Sequence, residues 1–200
     1  MSDGLIYGVG NNDADYKVQP TVNGKQITCI YYSKWFSMFV RCYSKNSLSA
    51  HPTYEGCSVC EEWHSFSNFK AWRECQDFEG KVLDKDIISV GNKVYSPNTC
   101  TFVPEIVNAF ITDSHNVRGK YMVGVHKQKK MNKFIARCGN PFTGGREYLG
   151  CHFTELEAHE AWRVAKLNFC EELIEKYKLT GKVASGLLDR YKSLNKSCVL

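Results

Sequence analysis

Two carboxylates, Asp84 and Asp86, sit two residues apart in an alternating apolar segment with Val82, Leu83 and Ile87. A loop punctuated by Gly91-Asn92 and Ser96-Pro97-Asn98 follows. A second apolar segment, Cys100 to Val103, then runs into Pro104 and the stretch that carries Asn108. Oxygen ligands brought to one point by two elements can hold a single hard divalent cation beside a phosphate. The chemistry open to these residues is therefore that of a metal site beside a phosphate. Without the surrounding pattern, the favoured reading of the two acids is a pair of surface charges on a short strand.

Positioning such residues requires strand, loop, strand and a helix opened by Pro104, since proline is tolerated in a first helical turn. Upstream, Ser33 can cap a helix over 34–44 with Trp35, Phe39 and Cys42 or Tyr43 on one face, followed by a loop over 45–56. A second helix is expected over 66–76, with Phe69, Trp72 and Cys75 inward. His64, beside Trp63, reads as a hydrogen-bonded structural residue. Residues 1–28 form a polar arm with a hairpin at Val22-Asn-Gly-Lys25, because Asn-Gly favours a tight turn. The polar run 111–119 marks a module boundary.

Beyond that boundary, strands are expected over 121–125, 133–138 and 147–151, joined by turn-rich segments. Thr154-Glu-Leu-Glu157 is a capping box with Phe153 available as a hydrophobic staple. It opens a helix whose apolar stripe is Ala158, Trp162, Ala165, Phe169, Leu173 and Tyr177. The tail, 180–200, is weakly amphipathic and suits either a last helix or self-association. The fold class is α+β, with modules at 29–112 and 118–179.

Composition supports two small globular modules: 200 residues, 43% apolar, with four Trp, eleven Tyr and eleven Phe. The opening segment MSDGLIYGVGNNDADYK is too polar for a leader, and no long apolar run occurs. A soluble, cytoplasmic protein that avoids membranes is therefore expected. The ten cysteines should then be mostly thiols. Cys57 and Cys60 have half-site zinc spacing but no second pair to complete it, so buried thiols are preferred to Zn2+. Net charge is only +5, yet between Arg118 and Arg146 there are eight Lys or Arg and no Asp or Glu. Such a one-sign stretch suits a polyanion.

The run LDKDI…GNKVYSPNTCTFV resembles the HNH (His-Me finger, ββα-metal) endonucleases of phage and intron origin. Trp35-Phe-Ser-Met-Phe-Val-Arg41-Cys42-Tyr43, Tyr54-Glu-Gly-Cys57-Ser-Val-Cys60-Glu-Glu-Trp63 and Phe66-Ser-Asn-Phe69 look like the same phage proteins. The resemblance implies one Mg2+ or Mn2+ held by Asp84 and Asn108, with Asn98 ordering the loop. It departs at the general base, because Lys85 stands where the family has histidine: a lysine there needs a strongly lowered pKa to serve as base, and can instead neutralise phosphate. Asp86, on the strand face opposite Lys85, is no easy substitute. Either His64 or His115 supplies the base, or metal hydroxide suffices, or catalysis is lost.

Gly124-Val125, Lys133-Phe-Ile-Ala-Arg137, Tyr148-Leu-Gly150 and Phe153-Thr-Glu-Leu-Glu-Ala158 resemble the Apetala-type (ethylene-response-factor-like) DNA-binding domain. That likeness implies a sheet face in the major groove of double-stranded DNA. Its contacts would come from Arg118, Lys127, Lys129, Lys130, Lys133, Arg137 and Arg146, with arginines on bases and lysines on phosphates. The functional expectation is a phage-type homing endonuclease or nickase. The alternatives are a non-cleaving repressor or blocker, and a protein that engages RNA or a host nucleic-acid enzyme.

Overall fold

A computed structural model of the chain describes residues 4–112 and 120–192. Arg118, His115 and the end of the tail lie outside the described residues. The fold is α+β and divides into two compact units, Met1–Val103 and Pro104–Leu200. This boundary differs from the expected one: the helix after Pro104 is grouped with the second unit. No described helix is long and apolar enough to cross a membrane.

In the first unit the segment expected to be a polar arm packs on the core. Asn11 exchanges backbone hydrogen bonds with the segment around Ser65, giving its N–H to His64 O (2.7 Å) and accepting from Phe66 N (3.0 Å). Ile6, Val9 and Ala14 pack on the core cluster. Gly10 lies so close to Phe39 that a Cβ there would sit 2.8 Å from its ring. The hairpin β1 (Thr21–Val22) and β2 (Lys25–Gln26) turns at Asn23-Gly24, both at positive φ, as the dipeptide predicts.

Helix α1 spans Ile30–Tyr43, starting earlier than expected. Ser33 is inside it, giving its N–H to Cys29 O, because the apolar stripe begins at Tyr32 and continues through Trp35, Met38, Phe39 and Cys42. Part of the expected loop is instead α2 (Lys45–Ala50), capped by Ser44. β3 (Ser58–Val59), a 3-10 turn (Glu61–His64) and α3 (Phe66–Glu74), capped by Ser65, follow. Cys75, expected inward, is exposed at the end of α3. β4 (Lys81–Asp84) pairs with β6 (Thr101–Pro104), and β5 (Val94–Tyr95) lies parallel to β3. The core is aromatic: Trp63 packs on Phe69 and Trp72, and Trp35 donates its indole N–H to Trp63 O at 2.7 Å.

The second unit opens with α4 (Glu105–Ile111). Its last carbonyls are taken up by later elements: Lys166 Nζ and the Tyr191 hydroxyl donate to Phe110 O, and Arg190 donates to Ile111 O. Cationic donors suit the negative end of a helix. The sheet order is β7 (Val125–Gln128), β8 (Lys133–Gly139), β9 (Arg146–His152), all antiparallel. β7 begins where the expected strand ended. Gly124 is at φ +79°, inside a turn closed by Val125 N to Met122 O, so the chain cannot extend before it. α5 (Glu155–Tyr177) covers one face, burying Ala158, Trp162, Phe169 and Leu173, and its capping box between Thr154 and Glu157 is formed. α6 (Gly181–Lys192) packs on α5 through Leu187 and Tyr191.

Candidate functional site

Asp84 ends β4, and its carboxylate folds the chain back on itself. Oδ1 accepts the N–H groups of Asp86 (2.8 Å) and Ile87 (2.6 Å) in a residue that is only 8% exposed. Regular strand therefore stops at Asp84, and Asp86 lies in the following turn rather than on a strand face. Lys85, 7% exposed, grips both oxygens of Asp86 at 2.8 and 2.9 Å and donates to Asn92 O at 2.7 Å. Its ammonium is thus consumed in a local ion pair. The position expected to hold a base or a phosphate contact holds an ion-paired lysine instead, because burying an unpaired ammonium is costly.

The asparagine that orders the loop is Asn92, not Asn98. Its side chain donates to Lys85 O and Val94 O and accepts from Val94 N, tying both ends of the loop. Asn98 is exposed in a turn closed by Cys100 N to Ser96 O, while Thr99 bonds Ser96 and Val94 O. The Gly91-Asn92 dipeptide was the available signal, since asparagine readily bonds backbone groups nearby in the chain.

Of the residues expected to hold a divalent cation, Asp84 commits one oxygen to two backbone amides, and Asn108 occupies a partly buried position on α4; the nearby Asp86 is held by Lys85. Burial pushes the neighbouring Cys100 thiol up to about 12, and the charge of Asp84 adds to that. Among the described residues no three or more His, Cys, Asp or Glu are gathered so as to hold a metal ion, which applies to Cys57 and Cys60 as well. The nine described cysteines are free thiols. His64 directs Nε2 to Val59 O at 3.0 Å and packs near Phe39, a structural placement.

The sheet of the second unit presents a different kind of surface. Strand alternation puts Ala136 and Cys138 under α5, where they are fully buried, and turns Lys133, Ile135 and Arg137 to the uncovered side. Cross-strand partners share a face. Pairing therefore adds His126 (opposite Ile135), Gln128 (opposite Lys133), Tyr148 (opposite Arg137) and Arg146 (opposite Gly139) to the open face. Lys127 is opposite Phe134 and so belongs to the covered face, its ammonium 5.4 Å from that ring, contrary to expectation. Lys129 and Lys130 are exposed in the 3-10 turn Lys129–Met131 that joins β7 to β8.

Register on the open face depends on a bulge. Arg137 pairs with Tyr148 but Ile135 pairs with Cys151, so β9 carries one extra residue opposite Ala136, with Gly150 at φ +112°. The extra residue returns the strand to phase and keeps Tyr148 and Cys151 on the same side. Tyr148 is 60% exposed. It and His126 were missed in the sequence because parity can be counted only once strand ends and the bulge are known.

Among the described residues, none of Lys129, Lys130, Lys133, Arg137 and Arg146 forms an ion pair with an acid. The nearby carboxylates are engaged: Glu147 accepts from Asn140, Glu155 from Met122 N, and Glu157 from Phe153 N and Thr154 N. The basic side chains of the face are thus left without acid partners, while Glu155 and Glu157 serve backbone amides and Glu147 the Asn140 side chain. Against known protein families, curated proteins and solved structures, the chain has no match.

Proposed function

We propose that this chain binds double-stranded DNA through the uncovered face of the β7–β8–β9 sheet. The observation that carries the proposal is the alignment of Lys133, Arg137 and Arg146 on one face, opposite the helix, with no acid paired to them among the described residues. Arg137 and Arg146 offer planar guanidinium groups suited to guanine edges, whereas Lys129, Lys130 and Lys133 are suited to phosphates. Tyr148, beside Arg137, supplies an apolar surface for a thymine methyl.

Of binding alone and cleavage, the geometry supports binding alone, acting as a repressor or blocker would. The supporting observation is that Asp84 and Lys85 are used to build their own turn.

Duplex titrations at several salt concentrations test the binding. The logarithm of affinity should fall linearly with the logarithm of salt, by about 0.9 per phosphate neutralised. Arg137→Ala with Arg146→Ala should weaken it strongly. Supercoiled plasmid with Mg2+, Mn2+ or EDTA should remain intact. Metal-dependent nicking that disappears in Asp84→Ala would restore the cleavage reading.

A further inference from the structure

One end of the sheet carries apolar side chains that the fold does not use. The last pair of the β7–β8 hairpin is Gln128 with Lys133, so Met131 stands beyond it in the connecting turn, 58% exposed, between Lys129, Lys130 and Lys133. At the same end, Phe134 pairs with His152, and the chain leaves β9 at Phe153. Phe153 was expected to staple the start of α5. Instead it is 76% exposed, while Ala158, the residue of the first turn of α5 that a staple would meet, is fully buried. Its ring is met by the Lys133 ammonium at 4.4 Å. The turn is defined rather than frayed: Asn132 adopts the left-handed conformation and donates to Lys129 O.

An exposed phenyl ring and thioether gain by leaving water, yet most of a duplex surface is charged or polar. The large apolar surfaces of a duplex are the stacked faces of its bases. Phe and Met are among the side chains able to part a base step, at the cost of unstacking it, when the bent duplex then meets more protein. Lysines on either side of the tip suit the phosphates that flank such a step. Glu155 and Glu157 lie at the same end, but their carboxylates are bound to Met122 N and to the Phe153 and Thr154 amides at the start of α5. A helix N-terminus compensates such negative charge.

We infer that Phe153 and Met131 form a wedge that enters a base step of the bound duplex, unstacking it and bending the DNA. This rests on the duplex-binding reading above. The wedge sits at the end of the sheet, leaving the Arg137 and Tyr148 face to lie against the DNA beside it. Pyrimidine–purine steps, which open most easily, are the preferred point of insertion.

The test uses the full chain and a duplex of about 25 base pairs with a central TA step, 2-aminopurine beside it, and donor and acceptor dyes at the ends. Binding at low salt should raise 2-aminopurine fluorescence and bring the dyes closer. The double variant Phe153→Ala with Met131→Ala should still bind and should lose both signals. Its melting curve should match that of the parent, because both side chains are exposed. Phe153→Leu should keep the signals. Binding by the parent with neither signal, or signals that persist in the double variant, overturns the wedge and leaves duplex binding standing. Absence of any duplex binding by the parent overturns the duplex-binding reading itself, and the wedge with it.

Discussion

Arg137 and Tyr148 stand directly opposite each other on β8 and β9, on the face that α5 leaves uncovered. A cation fork and an exposed aromatic ring are thereby fixed at the centre of one surface by backbone pairing, not by flexible loops. Strand-borne groups hold their positions better than loop-borne ones, which makes this pair the best place to look for sequence discrimination.

Arg137→Ala should cost about 1–3 kcal/mol of binding to a preferred duplex and relax discrimination at one position. Lys129→Ala should weaken all duplexes about equally and reduce the salt slope by about one. Anisotropy titrations against a small panel of duplexes separate the two outcomes. Equal losses across the panel for both variants would place Arg137 on phosphate.

Asp84→Ala should destabilise the first unit by about 1–3 kcal/mol, because the amides of Asp86 and Ile87 lose their acceptor. Asn92→Ala should do similar damage, since three backbone bonds across the loop go with it. Urea unfolding checks both. DNA affinity should not change in either variant.

Asp13 gives the first unit a defined acid sensitivity. Burial acts to raise its carboxyl, but hydrogen bonds from the Ser65 and Ser67 hydroxyls and the Ser67 amide outweigh it together and leave the group below its ordinary value. A carboxylate lowered in the folded state contributes stability that is complete above its unfolded value near 4 and is lost as pH falls through the folded one. The gap in stability between the parent and Asp13→Asn should therefore be full at neutral pH and close below about pH 4. A gap that persists at low pH would mean that the carboxylate charge is not what matters.

Gly124→Ala should be among the most damaging changes in the second unit, at about 2 kcal/mol or more. The position is at φ +79°, and an added Cβ would sit 2.2 Å from the Trp162 ring. Thermal melting should fall sharply, and DNA binding should be lost with the fold.

Lys166→Met should cost little. The ammonium lies 3.7 Å from the Phe110 ring centre, and burial holds its pKa below the ordinary lysine value. An apolar chain of similar length removes that desolvation penalty while giving up the cation–π contacts with Phe110, Trp162 and Tyr191 and one hydrogen bond to Phe110 O, which still accepts from the Tyr191 hydroxyl. Calorimetry of the variant should show a melting temperature close to that of the parent.

Local signals in the sequence were enough for several elements. Asn23-Gly24 specified its hairpin turn, Thr154 and Glu157 their capping box, and Trp35 with Phe39 the buried stripe of α1. The chemistry of these features is complete within a few residues, as is the absence of acids between Arg118 and Arg146. Tertiary structure alone decided the rest. Whether Asp84 faces a cation or its own turn depends on where β4 stops. Whether Lys85 is a base or half of an ion pair depends on Asn92 and Asp86 closing around it. Which basic residues share a face depends on a one-residue bulge at Gly150 and on the strand starting after Gly124. One residue of slip sends every later side chain to the other side of a sheet.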